Sequence, residues 1–148
     1  MRKILLSALI LLLTANLFGC VTIYYTYDLL YGADRIAAIS LYKFEVGVGE
    51  IDDSTTPIGY VDEADYGIFV EKLGQLPFYD TYILFPMAID PNFSYYGYVV
   101  KIEYEDGSYE TVAESGYQEV RAVSGKRRNR HYSCDEEIWN SFVTQFLD

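Results

Sequence analysis

His131 and Cys134 stand as His-x-x-Cys, with Asp135 and Glu136 directly after the thiol. They are the residues of this chain best suited to nucleophilic or metal chemistry, since His131 is the single histidine and Cys134 is one of two cysteines. A thiol and an imidazole act together only when the fold sets their geometry and a third group orients the base. Zinc asks for about four ligands, so a site here has to recruit neighbouring carboxylates. At the first turn of a helix opened by Ser133, the Cys134 thiolate would be stabilised by the helix dipole. The plainer account of Cys134 is a small buried apolar side chain, and it is the one preferred. No catalytic residue, metal ligand or cofactor is assigned, and the chain leans away from an enzyme.

Two other clusters carry charge in a suggestive pattern. Asp52, Asp53, Asp62, Glu63 and Asp65 gather carboxylates over a short stretch. Calcium loops alternate their ligands around a bend glycine, and Asp52, Asp53, Ser54, Thr55, Thr56 does not, so a polar loop and a helix start account for these acids. Lys126, Arg127, Arg128 and Arg130 put four of the chain's eleven Lys and Arg residues into one run after Gly125. Read plainly, the run is a solvated loop or hairpin tip. Its functional reading is anion or partner binding, because arginine forks match phosphates and carboxylates such as an anionic wall polymer or an acidic envelope protein.

The opening of the chain decides where that chemistry operates. Arg2 and Lys3 precede an apolar run from Ile4 to Phe18, which closes with Gly19 and Cys20. A basic start, an apolar core and a small-residue junction are the parts of a secretory signal. Leu17, Phe18, Gly19 and Cys20 resemble the lipobox of bacterial lipoproteins, in which the cysteine receives diacylglycerol and becomes the first residue of the mature protein. Phe18 departs from that pattern, where a small or β-branched residue is usual. The alternative is an uncleaved N-terminal helix, because Val21 to Tyr25 extend the apolar stretch past the roughly 20 residues that span a bilayer, with Tyr24, Tyr25 and Tyr27 as an interfacial belt. Both readings hold the chain at the cell membrane, facing outside the cytoplasm, and lipid on Cys20 is the preferred anchor.

Composition narrows the partners. The full chain has a formal charge of −11, and loss of Arg2 and Lys3 with a signal lowers it by two more. So acidic a surface argues against general affinity for nucleic acid or for anionic lipid, since neutralising phosphates needs Lys and Arg. Two cysteines make no disulfide framework. Sixteen tyrosines among 148 residues fit strand propensity first and a Tyr-lined binding face second.

The elements that must position these groups read as an α+β domain. Residues 1–19 are assigned to a lipoprotein-type signal peptide, 20–34 to a membrane-proximal tether and 35–148 to a single globular domain. From Ile36 to Val48 the even positions Ile36, Ala38, Tyr42, Phe44, Val46 and Val48 predict a strand with one buried face. Ile58 to Val61 reads as a short strand, and Asp62 opens a helix over 63–73 with Asp65 in an approximate capping box. Phe78 to Phe85 reads as a strand and Pro86 to Tyr96 as a loop. Tyr98, Val100, Ile102 and Tyr104 alternate with polar neighbours, and Asp106-Gly107 predicts a two-residue type I′ hairpin with Tyr104 opposite Tyr109. Tyr117 to Val123 is another strand. Ser133 and Glu136 spell a capping box for a helix over 134–147 that lays Trp139 and Phe142 on the sheet. The expected architecture is an antiparallel sheet of about four to five strands with both helices packed on one face.

Taken together, the signal ending in Gly-Cys, the stretch Tyr27, Asp28, Leu29, Leu30, the Lys101 to Gly107 hairpin, the basic loop and Tyr132 to Cys134 resemble small lipoproteins of Gram-positive-type bacteria. That resemblance implies a membrane-tethered protein of the cell envelope and transfers no activity and no functional residues. The expected role is a binding or accessory module; the alternatives are an envelope-acting hydrolase or other enzyme, and an immunity or inhibitor-type lipoprotein.

Overall fold

A computed structural model describes residues 21–48, 51–82, 95–114, 118–121, 127–130 and 133–147. Its α+β architecture is that expected; its antiparallel strands are divided between two sheets, accompanied by two α-helices. The larger sheet has six strands: β2 (Ile36–Val48), β3 (Gly59–Tyr60), β5 (Tyr95–Tyr104), β6 (Tyr109–Ala113), β7 (Gln118–Arg121) and β8 (Arg127–Arg130), in the order β3-β2-β5-β6-β7-β8. The smaller is a ribbon of β1 (Val21–Tyr25) and β4 (Phe78–Tyr82). Helix α1 is Tyr66–Gln75 and helix α2 is Glu136–Thr144.

Alternation along β5 decides the layering. Val100, Ile102 and Tyr104 face the helices together with Ile39 and Leu41 of β2 and Val112 of β6, all buried. Onto this face α1 lays Phe69 and Leu73, and α2 lays Trp139, Phe142 and Val143, in one core cluster. The rings meet directly, Phe69 to Phe142 at 5.0 Å and Phe78 to Trp139 at 6.3 Å between centroids. Trp139 also donates its indole N–H to the Tyr98 carbonyl at 2.9 Å, so the apolar body and its single polar handle are both satisfied. The opposite face carries a smaller cluster of Tyr42, Tyr95, Val99 and Ala113, where the Tyr95 and Thr111 hydroxyls lie 2.6 Å apart.

Several local expectations are corrected. The even positions of β2 are not its core face, because a register shift between Ile36 and Ala38 inverts the alternation. Ile39 and Leu41 therefore reach the helices, Tyr42 the other face, and Val46 is 76% exposed. One extra residue in a strand sends every later side chain to the opposite face. The β5–β6 hairpin likewise closes one residue away from the expected type I′ register. Tyr104 N–H donates to Ser108 O at 2.9 Å, Gly107 N–H donates to Tyr104 O, and the single positive φ in the turn is +79° at Gly107. A type I turn followed by a left-handed glycine makes a three-residue loop. Glu103 rather than Tyr104 then opposes Tyr109, and Tyr109 lies on the face away from the helices, beside Lys101.

Both helix starts differ from their spelling. Asp62 makes no side-chain cap; a 3-10 turn over Glu63–Asp65 leads into α1 instead. For α2 the cap is Asp135, whose carboxylate accepts from the N–H groups of Glu137 at 3.0 Å and Ile138 at 3.2 Å. Ser133 is not available for that role, since its backbone forms an antiparallel bridge to Tyr79 of β4.

From Val21 onward, the stretch read as a tether is packed on the domain. Strand β1 pairs with β4 through Tyr24↔Tyr79 and Tyr25↔Phe78, Tyr27 is buried, and Leu29, Leu30 and Tyr31 pack against the main core.

Candidate functional site

The basic run becomes the outermost strand of the six-stranded sheet rather than a loop tip. Arg127, Arg128 and Arg130 lie in β8, which pairs with β7 through Arg128↔Val120 and Arg130↔Gln118. Arginine has no marked strand preference of its own, so pairing with β7 decides the conformation. Among the described residues β8 pairs with β7 alone, which leaves it at the sheet's edge. Such an edge presents a row of backbone N–H and C=O groups beside its side-chain positions. Lys126 lies outside the described residues, as do Cys20, His131 and the signal segment.

Cys134 sits just before the α2 cap, 5% exposed, with its N–H donating to Glu114 O at 3.1 Å. Burial pushes its thiol up to about 11, with the Asp135 and Glu114 charges adding to the rise. Dipole stabilisation of a thiolate does not operate here, because the helix begins beyond Asp135 and the thiol is enclosed. The preferred apolar account of this residue fits its place in the main core.

The acidic clusters serve their own turns. The Asp52 carboxylate accepts from Ser54 N–H at 2.9 Å, Ser54 hydroxyl at 2.6 Å and Thr55 hydroxyl at 3.1 Å, bonds that hold it below the usual carboxylate range. This is an Asx turn closed through a single carboxylate oxygen, Oδ1. Among the described residues no three His, Cys, Asp or Glu side chains converge on a metal-sized position.

Among the described residues, the most deeply buried carboxylate is one that the sequence reading passed over. Glu110 of β6 is fully buried and accepts from Tyr27 hydroxyl at 2.8 Å, Leu30 N–H at 3.0 Å and the Tyr104 hydroxyl. Burial first, then the Glu110 charge, drives the Tyr104 hydroxyl far above its ordinary value, so it stays a donor. Around this knot the amino-terminal segment is fastened to the β5–β6 hairpin. Tyr31 donates to Asp106 at 2.9 Å and meets the Tyr104 ring edge-on at 5.0 Å, while Glu105 N–H donates to Arg35 O at 3.1 Å. The available signal was parity: Glu110 lies two residues from Val112 on the same strand and opposite Ile102, hence on the helix face.

Two openings bring titratable groups of both signs together. Lys43, Tyr98, Glu114, Glu136, Asn140 and Thr144 line an opening of about 430 Å³ beside α2. Partial burial, with Glu136 and Asp135 nearby, raises the Glu114 carboxyl above its usual value. A wider groove of about 770 Å³ runs between α1 and α2, past Lys72, Leu76, Ile138 and Phe142. These are openings for polar or mixed ligands, and Cys134 is not among the described residues that line either.

Among the described residues no helix is long and apolar enough to cross a membrane. No family model, curated protein or solved structure matches this chain.

Proposed function

We propose that this chain is a lipoprotein-type protein of the cell envelope, held at the membrane through lipid on Cys20 and facing outside the cytoplasm, whose domain binds an anionic partner. The observation that carries the binding role is β8, a strand of three arginines at the sheet edge in a chain of net charge −11. An edge strand can add an extended segment through its backbone, and arginine forks select for carboxylate or phosphate on that segment. The partner class is an acidic envelope protein or an anionic wall polymer. Support for the address lies in Arg2, Lys3, the apolar run Ile4 to Phe18 and the Gly19-Cys20 junction.

Two measurements test this reading. Replacing Arg127, Arg128 and Arg130 together with Gln should abolish salt-sensitive retention on envelope fractions; equal retention of variant and parent refutes the binding edge. Mass spectrometry of the membrane-extracted protein should find a diacylglycerol-modified Cys20 at the amino terminus. An unmodified Met1 terminus refutes the lipoprotein anchor.

A further inference from the structure

Residues 4–27 contain no charged side chain, and the uncharged stretch continues from the apolar run directly through β1 to Tyr27. Only Gly19 and Cys20 separate Phe18 from the first residue of β1. Three residue steps of at most about 3.6 Å each reach no farther than about 11 Å. Half the difference between the whole bilayer and its hydrocarbon core is about 5–7 Å, the thickness of one headgroup layer. If Phe18 ends at the hydrocarbon boundary, β1 starts within or just above that layer, and a lipidated Cys20 brings it closer still.

The domain side of this junction is stiff. Tyr25 and Phe78 pack the ribbon's inner face on the main core, and Glu110 fixes Tyr27 and Leu30 immediately after β1. The outer face carries Tyr24, 71% exposed, against Tyr79 in an edge-to-face pair at 6.3 Å, while Ile23 alternates to the other face. Of the three tyrosines read as a belt, Tyr27 is withdrawn into the core and Tyr25 packs against it, which leaves Tyr24 exposed.

We infer that the β1–β4 ribbon is seated in the headgroup layer of the bilayer to which the chain is tethered at Cys20, with the Tyr24–Tyr79 face toward the lipid. This rests on the membrane-tethered reading above. Tyrosine suits that layer because its ring is apolar and its hydroxyl meets water. Strand β1 carries no charge, and the one charged residue of the ribbon, Asp80, stands opposite Ile23 rather than in the Tyr24–Tyr79 pair, so that pair approaches lipid without desolvating charge. The domain is thereby held at one height and one tilt instead of swinging on a leash.

The test uses the full-length protein in phosphatidylcholine nanodiscs, with a nitroxide at Tyr24→Cys and, as reference, at the exposed Tyr60→Cys in β3. The Tyr24 site should show an oxygen-to-nickel-chelate accessibility ratio several-fold above the Tyr60 site. Equal ratios in protein that co-elutes with the nanodiscs overturn the seating while leaving the tether standing. Protein that fails to co-elute overturns the tethered reading and the seating together. Tyr24 is largely exposed, so its replacement leaves the core intact, and unchanged Trp139 fluorescence verifies this in each labelled sample.

Discussion

Replacing Tyr27 with Phe removes one oxygen from the buried knot around Glu110 and leaves the ring that packs on Phe78 at 5.6 Å. The lost bond is a 2.8 Å contact from a neutral hydroxyl to a fully buried carboxylate. Hydrogen bonds to charged groups contribute about 1.5–3 kcal/mol. The unfolding free energy should fall by that amount, lowering Tm by about 5–10 °C for a domain of this size. The effect should also be local. Leu30 N–H, which donates to the same carboxylate, should lose hydrogen-exchange protection well before Ile102 at the sheet centre. Glu110→Gln keeps the shape but turns one acceptor into a donor facing other donors, and should cost at least as much. Combined with Tyr27→Phe it should fall well short of the sum of the two. Strict additivity of the two substitutions, or unchanged exchange at Leu30, would refute the claim that this carboxylate fastens the amino-terminal segment.

Alkaline pH should weaken the fold in a defined window. Cys134 has its proton held up to about 11 against an ordinary 9.0, and Tyr104 is raised above 10.0, so the unfolded chain releases these protons first. Stability is thus complete below pH about 9 and declines as pH rises through about 11; urea midpoints that stay level over this range would contradict both assignments. Trp139→Phe should cost about 2–3 kcal/mol, by emptying space in the core and stranding the Tyr98 carbonyl. Circular dichroism is the readout, since the chain has a single Trp. Gly107→Ala forces a Cβ into a φ of +79° and should cost about 1–2 kcal/mol, whereas Gly67→Ala, in α1 with open space around it, should stabilise slightly. A reversed order of the two glycine variants in thermal melts would count against the hairpin geometry.

The layers of this protein were legible in its sequence because side-chain pattern determines them. Alternation at Val100, Ile102 and Tyr104 and the helical spacing of Trp139, Phe142 and Val143 identified the surfaces that meet in the core. What escaped was set by single-residue backbone events. The shift at Ala37 and the glycine bulge at Gly107 carry no hydrophobic signature of their own, yet each reverses which face follows. Glu110 was hidden for a related reason: a charged letter in an alternating strand reads as solvent-facing until register places it opposite Ile102. At the basic run, charge density was visible but conformation was not, since pairing with β7 makes Arg127–Arg130 a strand. Ser133 spelled a cap and lost that role to Asp135 once its backbone was bridged to Tyr79.

The knot around Glu110 also constrains the order in which the chain can complete itself. Tyr27 and Leu30 lie 83 and 80 residues before the carboxylate that receives them. Synthesis proceeds from the amino terminus, so the segment that must be clasped emerges long before its clasp. Until the β5–β6 hairpin closes, Tyr27, Leu29 and Leu30 have no core to enter, and β1 must await β4 for its ladder. Closing a loop of this length is slow compared with forming the hairpin itself. The part of the domain nearest its amino-terminal end is therefore among the last to become rigid. A nascent chain should remain sensitive to proteases between Tyr25 and Tyr31 until residues beyond Glu110 have appeared.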